Sequence, residues 1–258
     1  MEITKPLLSP ACLGWQKDLP CPEAPPEDHP SLGLDTPNYQ DNVFLEVSRC
    51  HIRARGFLLF INLIMIAATF CVVEGTISSY VYLGWGTIAL SVKVTLIGLW
   101  VIAFCMRAAI SPPRDLPLRF NRVRQRMYAY NLNSCWWNPF EKWEVVPVAY
   151  DWSQVRAERW KTHGISAQGK TMIKWGVVLS IVKPKTNQVI DRFPLSTMGA
   201  DEFAWSYICT YMQQGPSALP PPDPPRDHND VPWYNLALRL APKVQWPDEM
   251  DRESRTAP

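Results

Sequence analysis

The chain has 258 residues, of which 26 are Lys or Arg and 24 are Asp or Glu, so its formal net charge is only +2. A nearly neutral chain lacks the basic balance typical of nucleic-acid-binding proteins, and we expect no nucleic-acid partner. Its 25 prolines are about twice the usual frequency. This composition predicts extended or irregular segments beside any folded domain.

The first 48 residues are rich in proline and in small or polar residues. Such a composition buries too little apolar surface to form a core. We therefore predict that residues 1–48 form an irregular or extended segment in the cytoplasm. The segment has no basic start followed by an apolar stretch, so no cleavable signal peptide is expected.

Two long apolar stretches follow, at residues 56–73 and 86–106. The first has no charged side chain and the second has one, Lys93. A helix needs roughly 20 apolar residues to cross the hydrocarbon core of a bilayer, which is about 30 Å thick. Because only a short link joins the stretches, we predict a transmembrane helical hairpin over residues 49–111, with the lipid bilayer as a partner.

Basic residues flank the hairpin on one side only. They precede the first stretch and follow the second, whereas the link EGTISSYVYL has no Lys or Arg. Basic residues favour the cytoplasmic side of a membrane. A two-pass protein with both termini in the cytoplasm is therefore expected.

Lys93 is the one basic residue inside a predicted span. It lies about two helical turns from the outer end of the second helix, so its amine can reach the outer interface along its own flexible stem. The alternative is pairing with Glu74 or with a helix of a partner, because an ionisable residue within a span often marks a functional site.

Residues 112–215 have the composition of one small soluble domain. An alternating pattern predicts a strand at residues 118–130, and a run rich in Val and Ile predicts another at 171–183, followed by a tight turn and a hairpin partner at 188–193. A further strand is predicted at residues 143–152. Its Pro147 suits an edge or a bulge, because proline cannot donate a ladder hydrogen bond.

One helix is predicted at the end of this domain. Thr197 or Asp201 can cap its start, and Gly215 with the following proline ends it. Several strands followed by one helix predict a small α+β domain with an antiparallel sheet, either a pleckstrin-homology-like barrel or a split open sheet. The apolar residues at helical spacing are Phe203, Tyr207, Ile208, Tyr211 and Met212.

The remaining residues, 216–258, are predicted to form a proline-rich tail. Within it, residues 233–246 have a short amphipathic pattern. This segment is expected either to lie on the membrane or to fold back on the domain.

Two groups of side chains are candidate contact sites. A basic run begins where the chain leaves the bilayer, so it either holds the domain against anionic lipid or only sets the topology of the hairpin. Two adjacent indoles in a turn are difficult to bury together, so they are candidates for contact with lipid headgroups or a protein, as well as for packing. The candidate residues are Arg119, Arg122, Arg124, Arg126, Trp136, Trp137 and Lys93.

The sequence contains no phosphate-binding loop, dinucleotide fingerprint or nucleophile elbow. Its four histidines are not at metal-ligand spacing, and its seven cysteines form no CxxC pair and indicate reduced thiols. Asp151, Glu158, His163 and Asp201 are the polar residues that a fold could bring together. We expect no enzyme activity, no cofactor and no bound metal.

Four segments resemble an uncharacterised bacterial family, domain of unknown function 6708. They are PLRFNRVRQRMYAY, VVPVAYDW, VIDRFPL and AWSYICTYMQQGPSALP, within residues 112–222. The motifs are rich in Trp, Pro and apolar residues and specify no chemistry.

Such families are often associated with type VI secretion. The resemblance therefore implies an inner-membrane protein that binds a secreted antibacterial toxin or a secretion component stoichiometrically, as an immunity or accessory protein. The alternatives are a lipid-binding or scaffolding domain at the membrane surface and, third, an enzyme acting on membrane substrates. The sequence does not indicate an oligomeric state.

Overall fold

The computed structural model describes residues 5–25, 28–33, 36–49, 52–135, 137–165, 171–195, 202–221, 224–225, 227 and 229–258. Two long helices, α1 (Ile52–Ser79) and α2 (Trp85–Ile110), form a hairpin with a short link. Both include the predicted apolar stretches, and both are long and apolar enough to span a bilayer.

The first sheet has five antiparallel strands in the order β2-β3-β4-β5-β6. Its central pair joins β3 to β4, with Val47 opposite Leu118. Because α1 follows β3 and α2 precedes β4, the helical hairpin rises from the connection between two neighbouring strands. The strands are β2 (Tyr39–Gln40), β3 (Phe44–Val47), β4 (Leu118–Asn121), β5 (Arg126–Asn133) and β6 (Glu144–Asp151).

The second sheet has four antiparallel strands in the order β1-β7-β8-β9. Helix α3 (Glu202–Gln214) follows the last strand. The predicted α+β class with antiparallel sheets is confirmed. The strands are β1 (Trp15–Asp18), β7 (Val155–Ile165), β8 (Thr171–Val182) and β9 (Val189–Pro194).

The N-terminal segment is part of the fold. The prediction that residues 1–48 are irregular is wrong for β1, β2 and β3, which join both sheets. Leu19, Leu45 and Val47 are buried in the main core. The segment has no core of its own, but sheet pairing with later parts of the chain satisfies its backbone and buries its few large apolar side chains.

The predicted single strand at residues 118–130 is two strands, β4 and β5, joined by a tight turn. Gln125 in this turn has a φ of 51°, in the left-handed region. The Asn121 side chain accepts a hydrogen bond from the Arg124 backbone nitrogen at 2.8 Å. The two-residue alternation continues through the turn, so the pattern concealed the reversal.

The other predicted elements of the domain are confirmed. β6 lies at an edge of its sheet, as Pro147 requires, and β8 and β9 form the predicted hairpin. β7 pairs with β8 and β1 and does not extend β6. Gly215, with a φ of 89°, follows the last residue of α3. The proposed caps Thr197 and Asp201 lie outside the described residues.

The main core lies between the two sheets and α3. The fully buried Phe120, Leu179 and Phe193 come from both sheets, and Ile208 and Tyr211 come from the helix. Burial of such side chains contributes about 1.5–3 kcal/mol each to folding. This core fixes the base of the helical hairpin against a rigid domain.

The tail folds back on the domain, which is one of the two predicted alternatives. It contains two short helices, α4 (Leu236–Leu240) and α5 (Asp248–Arg255). Val244 and Trp246 pack with Tyr128 and Tyr130 of β5 in a second, smaller cluster.

Candidate membrane-interface site

Small and polar side chains lie where the two helices meet, and large apolar side chains cover most of the outer surface, which also carries Lys93 and Glu74. Among the described residues, Asn62 is 1% exposed, and Thr69 lies against Gly98, where an added Cβ would be 2.7 Å from the threonine hydroxyl oxygen. The outer surface carries large apolar side chains that are mostly more than half exposed, among them Phe57, Phe60, Leu63, Phe70, Ile77, Leu90, Leu96 and Ile97.

This polarity is the reverse of that in a water-soluble helical pair. Close approach at small and polar residues, with large apolar side chains facing outward, is typical of helices that pack within lipid. An exposed apolar surface along two helices of 28 and 26 residues also exceeds what soluble monomers normally expose.

The base of the hairpin is joined to the domain by arginine hydrogen bonds. Arg49 donates through Nε to the Leu116 carbonyl oxygen and through Nη2 to the Tyr130 carbonyl oxygen, both at 2.8 Å. Arg55, in the first turn of α1, donates to the Pro112 carbonyl oxygen at 2.9 Å. These bonds connect the entry of α1 with the exit of α2.

Asp115 lies in the same base and is buried. Its carboxylate accepts hydrogen bonds from Ser48 Oγ at 2.8 Å and Asn38 Nδ2 at 3.0 Å. Burial raises the pKa of Asp115 above its usual value, although these donors oppose the shift. The polar base therefore separates the apolar hairpin from the apolar core of the domain.

A loop beside the end of α2 exposes aromatic side chains. Trp137 is 60% exposed and Phe140 is 76% exposed. Arg107 of α2 donates to the Glu141 carbonyl oxygen at 2.9 Å, and its guanidinium lies 5.7 Å from the centre of the Trp143 ring. These contacts place the loop at the base of the hairpin. Trp137, for which both packing and contact with lipid or a protein were predicted as alternatives, is thus exposed beside that base. The neighbouring Trp136 lies outside the described residues.

The tail exposes a second group of apolar side chains at the same base. Here α4 packs against α1 and α2, and Arg114 donates to the carbonyl oxygens of Asn229 at 2.6 Å and Leu238 at 3.1 Å. We call residues 137–143 and 233–240 the interface collar. Its exposed apolar side chains are Trp137, Phe140, Trp233, Tyr234, Leu236 and Leu240.

Sequence reasoning identified only part of this collar. The amphipathic pattern at residues 233–246 marked the tail segment, but its docking on the helices depends on Arg114, which the sequence indicated only as part of the basic run after the second apolar stretch. The Trp233–Tyr234 pair, adjacent in sequence and exposed, was the available signal for an interfacial position.

Three of the four predicted arginines, Arg122, Arg124 and Arg126, lie toward the end of the domain opposite the hairpin. The start of β4 adjoins the hairpin, whereas the turn at residues 122–125 is at the far end of the same strand. Arg124 donates to the Thr256 carbonyl oxygen at 3.0 Å, and Arg126 pairs with Glu253 at 2.7 Å. The guanidinium of Arg122 lies against Gly215.

Arg119 is fully buried. Its Nε pairs with Glu46 at 2.5 Å, its Nη1 pairs with Asp251 at 2.6 Å, and its guanidinium lies 4.6 Å from the centre of the Trp246 ring. Membrane contact by the cluster therefore does not fit the positions of these four arginines. Instead, Arg119, Arg124 and Arg126 hold the C-terminal tail on the domain.

Lys93 is exposed on the outer surface of α2. Within the described part of the chain, it forms no ion pair with Glu74 or another acidic residue. Its ninth position in α2 places it about 12 Å along the axis from Trp85, the first residue of that helix.

One polar cluster lies inside the domain. Glu158 is fully buried and accepts hydrogen bonds from the Cys12 backbone nitrogen at 2.9 Å, from Ser180 Oγ and from Arg192. Burial, followed by the charge of Glu158, raises the pKa of Cys12 to about 12. The thiol therefore stays protonated at neutral pH, and the cluster fastens the N-terminal segment to β7 and β8.

The polar residues that the sequence suggested might meet do not converge. Glu158 belongs to the buried cluster, Asp151 pairs with Arg126 at 3.3 Å at the far end of β6, and His163 lies opposite Ile173 on the long β7–β8 hairpin. Asp201 lies outside the described residues.

A known protein family matches more than half of the chain. The profile of a family of unknown function, DUF6708, matches residues 95–258. The chain belongs to the DUF6708 family. The matched region begins within α2 and includes β4 to β9, α3 and both helices of the tail, so the interface collar lies within the family region. No curated protein and no solved structure matched the chain.

Proposed function

We propose that this DUF6708 protein is a two-pass protein of the bacterial inner membrane. The outer surface of the helical hairpin carries this proposal, because two long helices that expose large apolar side chains are stable in lipid and costly in water. The collar supports it, since exposed Trp, Tyr and Leu side chains at a helix base suit the interface between headgroups and acyl chains.

We propose further that both termini and the whole α+β domain are cytoplasmic. The two ends of the hairpin enter adjacent strands of one sheet, so they lie on the same side of the membrane. The arginines at this base, Arg49, Arg55, Arg107 and Arg114, agree with the preference of basic residues for the cytoplasmic side. The short link beyond Ser79 is then periplasmic.

The order of elements supports a pleckstrin-homology-like architecture. Strands β3 to β6 form one meander, β7 to β9 form another, and α3 follows. This gives seven strands and a closing helix once β1 and β2 are set aside as additions. In this interpretation, the membrane hairpin is inserted between the first two strands of the barrel.

We propose that the domain acts by stoichiometric protein binding, as an immunity or accessory protein for a type VI secreted antibacterial toxin. The family resemblance motivates this role. A candidate partner surface is an open groove of about 630 Å³ at the end opposite the hairpin. Its lining includes Glu23, Arg124, Gln125, Ser153, Met212 and Gln213.

Co-expression with toxin genes from the same locus tests this role. Growth should be restored by the full chain, and replacement of two exposed groove residues by Glu23→Arg and Ser153→Arg should abolish protection. Lys185→Glu, in the exposed β8–β9 turn, is the matched control and should protect fully. Absence of protection by the full chain against every toxin of the locus would contradict the immunity role.

A further inference from the structure

The paired ends of β7 and β8 project beyond the rest of their sheet. β8 pairs with β9 only from Val178 to Val182, with one more bond from the Leu195 backbone nitrogen to the Val177 carbonyl oxygen at 3.0 Å. Residues 160–165 and 171–176, which we call the β7–β8 arm, continue to pair with each other past this point.

The arm exposes apolar side chains in a cationic setting. Met172, Ile173 and Trp175 are 46%, 43% and 48% exposed. Residues 159–176 contain no acidic residue and include Lys161, Lys170 and Lys174. Apolar side chains beside lysines, without acids, suit an anionic lipid surface better than they suit water.

Contacts at both ends of β9 show which way the arm points. β9 begins beside Ile181 and Val182, and Ile181 pairs with Val155 at the start of β7. Just before Val155, the Trp152 backbone nitrogen donates to the Gln125 carbonyl oxygen at 2.8 Å, in the turn at the far end of the domain. Near the other end of β9, the Phe193 ring lies 5.5 Å from the Arg49 guanidinium, at the base of the hairpin. β9 therefore runs toward the hairpin base. Because β8 is antiparallel to it, the stretch from Val177 back to Thr171 continues in that direction.

The base of the arm is stiffened by an aromatic contact across the strands. Trp160 lies opposite Gly176, and its indole covers the glycine so closely that an added Cβ would be 3.2 Å from Nε1. Such cover compensates for the missing side chain of a glycine in a strand. The arm is thus held as a projection of the sheet.

We propose that the β7–β8 arm is a lipid-binding site that inserts Met172, Ile173 and Trp175 among the headgroups of an anionic leaflet. Lys161 and Lys174 pair with lipid phosphates. The proposal rests on the membrane insertion of the hairpin. It assigns to the arm the lipid contact that was one of the two alternatives predicted for the arginine cluster.

Photo-crosslinking of the full chain in lipid nanodiscs tests this site. The photoreactive residue p-benzoylphenylalanine replaces Ile173 in the arm, Leu96 on the outer surface of α2, or Lys185 at the opposite end of β8. Nanodiscs contain either phosphatidylcholine alone or a mixture with phosphatidylglycerol. Adducts are identified by mass spectrometry.

The expected result is lipid adducts at positions 96 and 173, none at 185, and a yield at 173 several-fold higher with phosphatidylglycerol. Adducts at 96 without adducts at 173 would overturn the arm proposal and leave membrane insertion standing. Absence of adducts at 96 would overturn membrane insertion itself. Adducts of position 173 with a co-purified protein in place of lipid would instead make the arm a protein-docking site.

A charge variant tests the role of the lysines. Lys161→Gln with Lys174→Gln should lower the lipid adducts at position 173 to the level seen with phosphatidylcholine alone, while adducts at position 96 stay unchanged. The thermal unfolding of this variant should match that of the parent, because both lysines lie on the projecting arm. An unchanged yield at position 173 would overturn the electrostatic part of the proposal.

Discussion

Val47 and Leu118 lie directly opposite each other on adjacent antiparallel strands, although the whole helical hairpin lies between them in the chain. The ladder from Phe44–Asn121 to Val47–Leu118 thus closes the loop that contains both helices. The two ends of the hairpin are fixed at neighbouring positions by the core of the domain. Changes in hairpin packing are therefore expected to affect how the domain is held at the membrane.

Gly98→Ala should weaken the hairpin. The added Cβ would be 2.7 Å from Thr69 Oγ1, so either the Thr69 side chain must leave its rotamer or the helices must separate at this contact. Gly75→Ala is the control, because nothing lies within 4 Å of its added Cβ and alanine favours a helix over glycine by about 1 kcal/mol. Thermal unfolding in detergent should show a lower midpoint for the first variant and an equal or higher midpoint for the second. Equal midpoint shifts in the two variants would contradict the close contact between Gly98 and Thr69.

Arg119→Ala should destabilise the domain by about 3–5 kcal/mol, because it breaks the buried ion pair with Glu46. Arg126→Ala removes only exposed ion pairs, so its effect should be within about 1 kcal/mol. Denaturant unfolding of the two variants in detergent measures the difference. Similar small losses would contradict a structural role for the buried arginine.

Arg114→Ala should release the tail part of the collar from the hairpin base. The substitution removes the donors to the carbonyl oxygens of Asn229 and Leu238. Hydrogen exchange of the full chain in nanodiscs should show lost protection in residues 229–240 and unchanged protection in α3. Equal loss in both regions would indicate general unfolding rather than release of the tail.

Cys12 should resist alkylation at pH 8, whereas the exposed Cys21 should react. Because the pKa of Cys12 is raised to about 12, its thiol keeps its proton above pH 9 in the folded protein. In the unfolded chain, the same thiol loses its proton in that range. The thiol therefore makes its full contribution to the free energy of unfolding below pH 9, and this contribution falls as the pH rises from about 9 toward 12.

Mass spectrometry after iodoacetamide treatment, with and without denaturant, measures this difference. The Cys12 adduct should appear only with denaturant. Between pH 9 and 11, the midpoint of thermal unfolding should fall less for Cys12→Ala than for the parent protein. Rapid labelling of Cys12 in the native protein would contradict its buried environment.

The sequence predicts those elements that have a single dominant pattern. The apolar stretches of α1 and α2, the Val- and Ile-rich β8 and the helical repeat of α3 are each specified by their own residues. Pro147 likewise restricts β6 to an edge, because the missing N–H cannot serve a central strand.

The elements missed by sequence reasoning depend on distant partners. β3 is four residues long and is stabilised by pairing with β4 across the hairpin, so its proline-rich surroundings concealed it. The break at Gln125 depends on a backbone conformation that side-chain alternation does not encode. Arg119 carries a charge that indicates a surface position, yet Glu46 and Asp251, far from it in sequence, compensate for its burial.

Reporter fusions test the central claim, which is that the hairpin crosses the membrane and leaves the domain in the cytoplasm. Alkaline phosphatase, which is active only in the periplasm, is inserted after Leu83 or attached after Pro258 in the full chain expressed in bacteria. We predict activity for the insertion after Leu83 and none for the C-terminal fusion, with both proteins recovered in carbonate-washed membranes. Activity at the C-terminus, or recovery of the chain in the soluble fraction, would contradict the account.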